Sequence, residues 1–316
     1  MTAVSAFAPE GVPEVRAGDD LAALLLPLVE LTDGDIVVVT SKVVSKAEGR
    51  VVDGTRDELL PGETVRVVAR RGPTTIVRNR QGLTMAAAGI DESNVERGHS
   101  VLLPDDPDRS ARELRAAIAA RAGRNVGVVV TDTAGRAWRE GQTDIAIGAA
   151  GLVVLEDYAG RLDAHGNELA VTAPAVADEL AGLAELAAGK LAARPFVVVR
   201  GRADLVLRAG DDGPGATSLI RAEGGDLFGY GAREAVIRAV TGRSADLLPF
   251  GSPAPAEELA TAVKVATGLV ATVVAPDEVT CGSERLDGVR AVAFAHGWLV
   301  EAGENTRDLR LRPSTT

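Results

Sequence analysis

Cysteine is nearly absent, since Cys281 is the single one in 316 residues. That excludes an intrachain disulfide and a four-cysteine zinc site within one chain, and nothing speaks for an oxidising compartment. Aromatic residues make up only 3%, so the core has to be built from Ala, Val, Leu and Ile. An excess of positive charge is lacking too. With 34 Lys and Arg against 45 Asp and Glu, the formal net charge is −11. This argues against a nucleic-acid partner, whose binding rests on a basic footprint. No apolar run reaches the roughly 20 residues that cross a membrane. The first residues lack the positive start and long apolar centre of a signal peptide. The expectation is a cytoplasmic protein with no membrane contact. A phosphate-bearing ligand stays open if local arginines, lysines or cations offset the acidic background.

What is present is ordinary globular material, 46% hydrophobic and 25% charged, enough for one large domain or two ordinary ones. The chain is organised around the stretch from Val128 to Gly148. Val126 to Val130 is a short β-branched run that predicts a buried strand. The strand is expected to break into a loop carrying Asp132, Thr133, Gly135, Arg136, Arg139 and Asp144. A carboxylate and a hydroxyl at a strand end suit a hard cation such as Mg²⁺ or Mn²⁺. Arginines there can meet phosphate or carboxylate oxygens with paired hydrogen bonds. The same pattern also fits a strand followed by a solvated turn.

Similar strand exits recur along the chain. An aspartate of the Asp19-Asp20 pair reads as the cap of a helix from Leu21 that Pro27 kinks or ends. Ile36 to Val39 is a strand, and its exit carries Ser41, Lys42, Ser45 and Lys46, either a basic turn or a set of phosphate contacts. Glu63 to Arg70 and Pro73 to Arg78 form a hairpin, and Leu83 to Ile90 runs into Asp91-Glu-Ser-Asn94. That acidic turn offers Asp91 for a cation shared with Asp132, and Asn94 for a base or phosphate; alternatively it is only a turn. Ser110 to Glu113 reads as a capping box. Thr172 is expected to cap a helix reaching Ala193 in which Asp178 and Glu179 are either a further acidic group for the metal or a solvated face. Phe196 to Arg202 is another interior strand, and the glycine-rich segment 211–229 is the candidate closing loop. His165, Cys281 and His296 have no ligand-spaced partner and read as structural. Composition changes after Pro249: residues 251–256 read as a linker, Val289 to Phe294 as a strand, and Arg307 to Thr316 as a disordered polar tail.

Four of these stretches together resemble the coenzyme F420 γ-glutamyl ligase family: GDIVVVTSKVVSK at 34–46, AAGIDESN at 87–94, VTDTAGRAWREGQTD at 130–144 and ELAVTAPAVADEL at 168–180. The resemblance covers residues 8 to 245. It implies a mixed α/β (α+β) fold particular to the family, a two-part subunit in an intertwined homodimer with the nucleotide groove near the subunit interface. It divides the chain into a ligase domain, 1–249, and a short C-terminal extension, 250–316. It implies ligation of L-glutamate to the carboxylate of the glutamate-free F420 precursor, with GTP and Mg²⁺ or Mn²⁺, K⁺ being a further candidate ion. Carried over by position, Val12, Pro13, Glu14, Val15, Ser41, Lys46 and Asn94 contact the nucleotide. Asp91, Asp132 and Thr133 bind metal, and Asp132 and Lys46 are catalytic. Gly201 to Arg208 is a looser match to a nucleotide or second-metal site.

The implied chemistry follows from charge. A carboxylate is a poor electrophile until phosphorylated to an acyl phosphate, and phosphoryl transfer depends on positioning and charge neutralisation. Some enzymes that this chain resembles continue into a flavin-binding, nitroreductase-like domain; only a short segment follows residue 250 here, so no FMN-linked reduction is expected. Two rival functions stand beside the ligase: a nucleotide-binding dimer without catalysis, and an amino-acid ligase acting on another carboxylate.

Overall fold

A computed structural model describes residues 3–303 and 308–314. In chain order the elements are β1 (Ser5–Phe7), α1 (Leu21–Leu25), β2 (Ile36–Thr40), α2 (Ser41–Ala47), β3 (Val51–Asp53), α3 (Arg56–Glu63), β4 (Thr64–Arg71), β5 (Thr74–Asn79), β6 (Thr84–Ala86), β7 (His99–Val101), α4 (Pro107–Ala122), β8 (Gly127–Gly135), β9 (Gln142–Ala150), α5 (Val176–Ala188) and β10 (Phe196–Arg200). They continue with α6 (Ala232–Thr241), α7 (Ala256–Thr267), β11 (Thr272–Ala275), β12 (Glu278–Gly282), α8 (Leu286–Ala295), β13 (Trp298–Ala302) and β14 (Asp308–Pro313). The fold is mixed α/β, as expected.

Packing divides the chain into two compact units. The first runs to Val67 and resumes from Gly72 to Ile220; the second joins Val68–Arg71 to the chain from Arg221 onwards. The boundary after Ile220 falls earlier than the expected 249/250 division, because α6 packs on α8. The proline-rich segment 251–256 is not a free linker either. Ala254 donates its N–H to His296 and accepts the Trp298 indole N–H at 2.8 Å.

The first unit is built on a five-stranded sheet in the order β1-β10-β2-β8-β9, with β2 and β8 parallel and the other pairs antiparallel. Its interior strands are continuous valine runs because both faces are covered. Val37, Val39, Val128, Val130, Phe196 and Val198 face one core with Leu25, Leu114 and Ile118. Ile36, Val38, Val129, Val197 and Val199 face the other with Val176, Leu180 and Ala184 of α5. Alternation along each strand therefore splits one apolar run between two cores.

Two buried charges hold the segment after β10 in place. Asp108, in the first turn of α4, accepts N–H bonds from Ala149 at 2.8 Å and Ala216 at 2.7 Å, and the Thr217 hydroxyl at 2.5 Å. Arg115 donates to the Val126 carbonyl at 2.9 Å, the Asp211 carbonyl at 2.8 Å, the Asp212 carboxylate at 2.7 Å and the Asn125 amide oxygen at 2.9 Å. Gly151 sits at φ +65° where a Cβ would lie 2.1 Å from Arg115 Nε, so the glycine admits the guanidinium. Residues 211–219, the first part of the candidate closing loop, are thus stitched down by internal bonds.

The second unit has its own core, with Leu259 and Val263 of α7, Val289 and Ala293 of α8, and Trp298 and Leu311. A four-stranded sheet, β11-β12-β14-β13, packs there. Three sequence readings are corrected here. Residues 289–294 lie in a helix, since Val289, Ala293 and Phe294 repeat at helical spacing. Residues 308–313 of the expected disordered tail form β14, paired on both sides; Arg307, Thr315 and Thr316 lie outside the described residues. Ser110 is inside α4 rather than at its start, which Asp106 caps by accepting from the Arg109 N–H at 2.9 Å.

Replacing Arg115 by Met should destabilise the first unit by about 3–5 kcal/mol, because it leaves the Val126 and Asp211 carbonyls and the Asp212 carboxylate without their buried donor. Urea unfolding of the whole chain measures it; a loss under about 1 kcal/mol would mean that the network contributes little.

Candidate functional site

β8 does not break where the sequence suggested. It continues to Gly135, so Asp132 and Thr133 stand on the strand, and Asp144 stands opposite Thr133 on β9. The loop proper is the hairpin that carries Arg136 and Arg139. A register shift between Val130 and Thr131 is a β-bulge, which re-aims side chains beyond it. Ala146, facing that shift, donates its N–H to Asp178 at 2.8 Å. Asp178 is therefore neither a metal candidate nor a solvated residue but a half-buried cap, its carboxyl raised by burial despite that bond.

The exit of β2 is a helix rather than a turn. α2 starts at Ser41, immediately after the strand. Helical spacing puts Lys42 and Lys46 one turn apart, and likewise Ser41 and Ser45. The parallel register sets Thr40 beside Thr131, which brings Ser41 to Asp132: the serine hydroxyl donates to the carboxylate at 2.9 Å. Lys42 Nζ lies 2.7 Å from the Asp91 carboxylate and 2.7 Å from the Ser93 hydroxyl. Lys46 is buried, with Nζ 2.5 Å from Glu14 Oε1 and 3.0 Å from the Asn94 carbonyl. The backbone around these acidic residues is unusual. Ala87, Ala88 and Asn94 have φ of 50°, 56° and 55°, a left-handed conformation that costs a non-glycine residue about 1 kcal/mol and that asparagine tolerates best.

These groups line one cavity of about 660 Å³. All ten residues carried over by the family resemblance are on its wall: Val12, Pro13, Glu14, Val15, Ser41, Lys46, Asp91, Asn94, Asp132 and Thr133; Gly135, Arg136, Arg139 and Asp144 are not. Gly201 to Arg208 are not; Arg202 pairs instead with Asp204 and Glu156. Sequence reasoning missed Glu185, Lys190 and Arg194, which also line the cavity. The helix expected from Thr172 to Ala193 is shorter: α5 spans Val176–Ala188 and stops at Gly189. Reading that glycine as a helix end would have released Lys190 into a loop.

Electrostatics mark Asp132. Burial and the nearby Asp144 and Asp91 carboxylates push its carboxyl up to about 7, against the Ser41 hydroxyl and the Thr133 N–H. Asp91 goes the other way: burial would raise it, but the Lys42 ammonium and the Ser93 N–H hold it below the usual carboxylate range. Among the described residues, no three His, Cys, Asp or Glu side chains gather closely enough to hold an ion alone. Asp91, Asp132 and the Thr133 hydroxyl are nevertheless hard oxygen donors lining the same cavity, and burial, with the neighbouring carboxylates, raises Asp132. That donor set fits Mg²⁺ or Mn²⁺ completed by ligand phosphate oxygens.

A sequence model described as F420-0:Gamma-glutamyl ligase matches residues 11–201. The chain belongs to the F420-0:γ-glutamyl ligase family. Among its relatives, the coenzyme F420:L-glutamate ligase of Methanopyrus kandleri is 40% identical over 239 residues, covering 68% of this chain and 93% of the relative. That of Archaeoglobus fulgidus is 41% identical over 220 residues, covering 63% and 88%. That of Halobacterium salinarum is 41% identical over 250 residues, covering 70% and 94%. The family match in this ligase-family chain ends where β10 gives way to Gly201, so it includes every element that lines the cavity.

The raised Asp132 carboxyl fixes a sign. Its contribution to stability is fully present below the ordinary carboxylate value near 4 and is lost as pH rises through about 7. Carboxyl ¹³C NMR titration should give a midpoint near 7 without divalent cation, and Mg²⁺ should shift it well down. Ordinary titration near 4 without cation would remove the electrostatic argument for a cation here. Between pH 4 and 7 wild type should lose thermal stability relative to Asp132→Asn, which lacks the titrating carboxyl.

Proposed function

We propose that this chain is a GTP-dependent coenzyme F420-0:L-glutamate ligase. One observation carries the reading: residues from four separate stretches, named by their match to the family, converge on a single cavity that pairs carboxylates with lysine ammoniums. The relatives named for the same reaction, aligned over most of their length, support it.

In this reaction the precursor's carboxylate attacks the γ-phosphorus of GTP. A C–O–P linkage forms, the bond to the β-phosphate oxygen breaks and GDP leaves. The amine of glutamate, in its neutral form, then attacks the acyl carbon; the C–N bond forms and inorganic phosphate departs. The protein's part is positioning and charge, the main sources of catalysis in phosphoryl transfer. Lys46 and Lys42 offer ammoniums to phosphate oxygens. Val12 to Val15 and Asn94 line the nucleotide portion. Asp91, Asp132 and Thr133 would hold the divalent cation, which when bound supplies neutralisation of the triphosphate. Ser41 orients Asp132 through its hydroxyl. K⁺ is a further ion in this reading, residues 1–249 are its ligase portion, and the assembly is a homodimer.

Mass spectrometry of the chain incubated with the glutamate-free coenzyme, L-glutamate, GTP and Mg²⁺ or Mn²⁺ should show a product heavier by glutamyl units, with GDP released. GTP binding without product would favour a non-catalytic nucleotide dimer, and product only from another acid would favour a different acceptor. Asp132→Asn should lower turnover on the order of 10²–10³-fold, the scale of losing one preorganised charged group. Lys46→Ala should raise the KM for GTP about tenfold, equivalent to about 1.4 kcal/mol; an unchanged KM would remove Lys46 from the nucleotide site.

A further inference from the structure

Asp144 is the buried acid that the chemistry above leaves unused. It is 7% exposed and does not line the cavity, so it sits behind the wall rather than on it. Its two oxygens take hydroxyls from the strand opposite: Thr133 at 2.7 Å and Thr131 at 3.2 Å. On the cavity side, the Thr133 oxygen receives the Lys190 ammonium at 2.8 Å.

Donor and acceptor rules fix the direction of this chain. A lysine ammonium only donates, and an ionised carboxylate only accepts. A threonine hydroxyl has one hydrogen and two lone pairs. With Lys190 donating to it, the single Thr133 hydrogen has to point at Asp144. The oxygen therefore turns its lone pairs toward the cavity, and one of them already serves a cation. Lys190 is not permanently fixed there. It is largely exposed, and its second contact, Glu185, lies at 3.6 Å.

We propose that Asp144 is a positioning residue that locks the Thr133 hydroxyl as a cation acceptor facing the cavity. This rests on the reading of Asp91, Asp132 and Thr133 as a divalent-cation site. Without Asp144, the hydroxyl would rotate freely and could present its hydrogen to the cation. Partners of this kind behind a metal ligand typically change affinity by 10–100-fold. Lys190, held by the same oxygen, is the group that an incoming divalent ion displaces, and its ammonium is then available to an anionic substrate group in the cavity.

The test is a double-mutant cycle read by Mn²⁺ binding, using the electron paramagnetic resonance signal of free Mn²⁺ with the full chain and no nucleotide. Asp144→Ala, which removes the acceptor, should weaken Mn²⁺ binding at least tenfold, with the thermal melt confirming a folded chain. Thr133→Ser, which keeps the hydroxyl, should stay near wild type, while Thr133→Val should weaken binding. In the Thr133→Val background, Asp144→Ala should have little further effect, because the acid acts through the hydroxyl. Lys190→Met should tighten Mn²⁺ binding and raise the KM for the anionic substrate more than it changes kcat. If Asp144→Ala binds Mn²⁺ like wild type, or if its effect is undiminished beside Thr133→Val, the positioning role is overturned while the cation site stands. If wild type itself takes up no Mn²⁺, the cation reading falls and the inference with it.

Discussion

The parallel pairing of β2 with β8 is the constraint on which the site depends. Thr40 lies beside Thr131, so the first residue of α2 and the first acidic residue of β8 emerge side by side. The Ser41 to Asp132 hydrogen bond is the direct result. Side chains alternate along a strand, so a slip of one residue would turn Asp132 away from Ser41 and put apolar valines on the wrong face of both cores. Burial of those valines therefore fixes the register, and the register fixes the chemistry. The bulge at Val130 and Thr131 adds a second adjustment, restoring a face on which Thr131 and Thr133 both reach Asp144.

Around that junction the polar groups are arranged in opposed pairs. Lys42 neutralises Asp91, Lys46 neutralises Glu14 and Lys190 touches Thr133. Asp132 has hydroxyl and N–H donors but, among the described residues, no ion-pair partner, and burial raises its carboxyl. Burying an unpaired carboxylate is costly enough that the group takes up a proton or a cation instead. The pairing separates two kinds of acid in one cavity: one held ionised by lysine, one left open to a ligand's charge.

Much of the framework was legible in the sequence. Strong β-branched runs gave β2, β8 and β10, and the aspartate before Leu21 gave the cap of α1. Of the residues singled out at strand exits, Ser41, Lys42, Ser45, Lys46, Asp91, Asn94, Asp132 and Thr133 reappear together on the cavity wall, whereas Gly135, Arg136, Arg139 and Asp144 do not. Where the reading failed, a competing physical effect won. Val289 to Phe294 looked like a strand because short apolar runs carry no decisive period. The Thr172 helix was drawn too long because alanine-rich sequence masks a glycine stop. The acidic residues of β8 looked like loop because polar residues after a valine run usually end a strand; here Asp144 and Thr133 satisfy one another across the ladder, and the strand continues.

Composition and motif order by themselves determined a mixed α/β protein with a valine-rich core, an acidic surface and a set of lysines, serines and aspartates suited to phosphate and hard cations. Those properties belong to residue type and local spacing, which survive without a fold. Only the tertiary structure decided which acid faces the cavity and which stands behind it, that Lys190 joins Thr133, and that residues 211–219 are held down by Asp108 and Arg115. These depend on strand register, a bulge and contacts between residues far apart in the chain, where no local pattern carries the information.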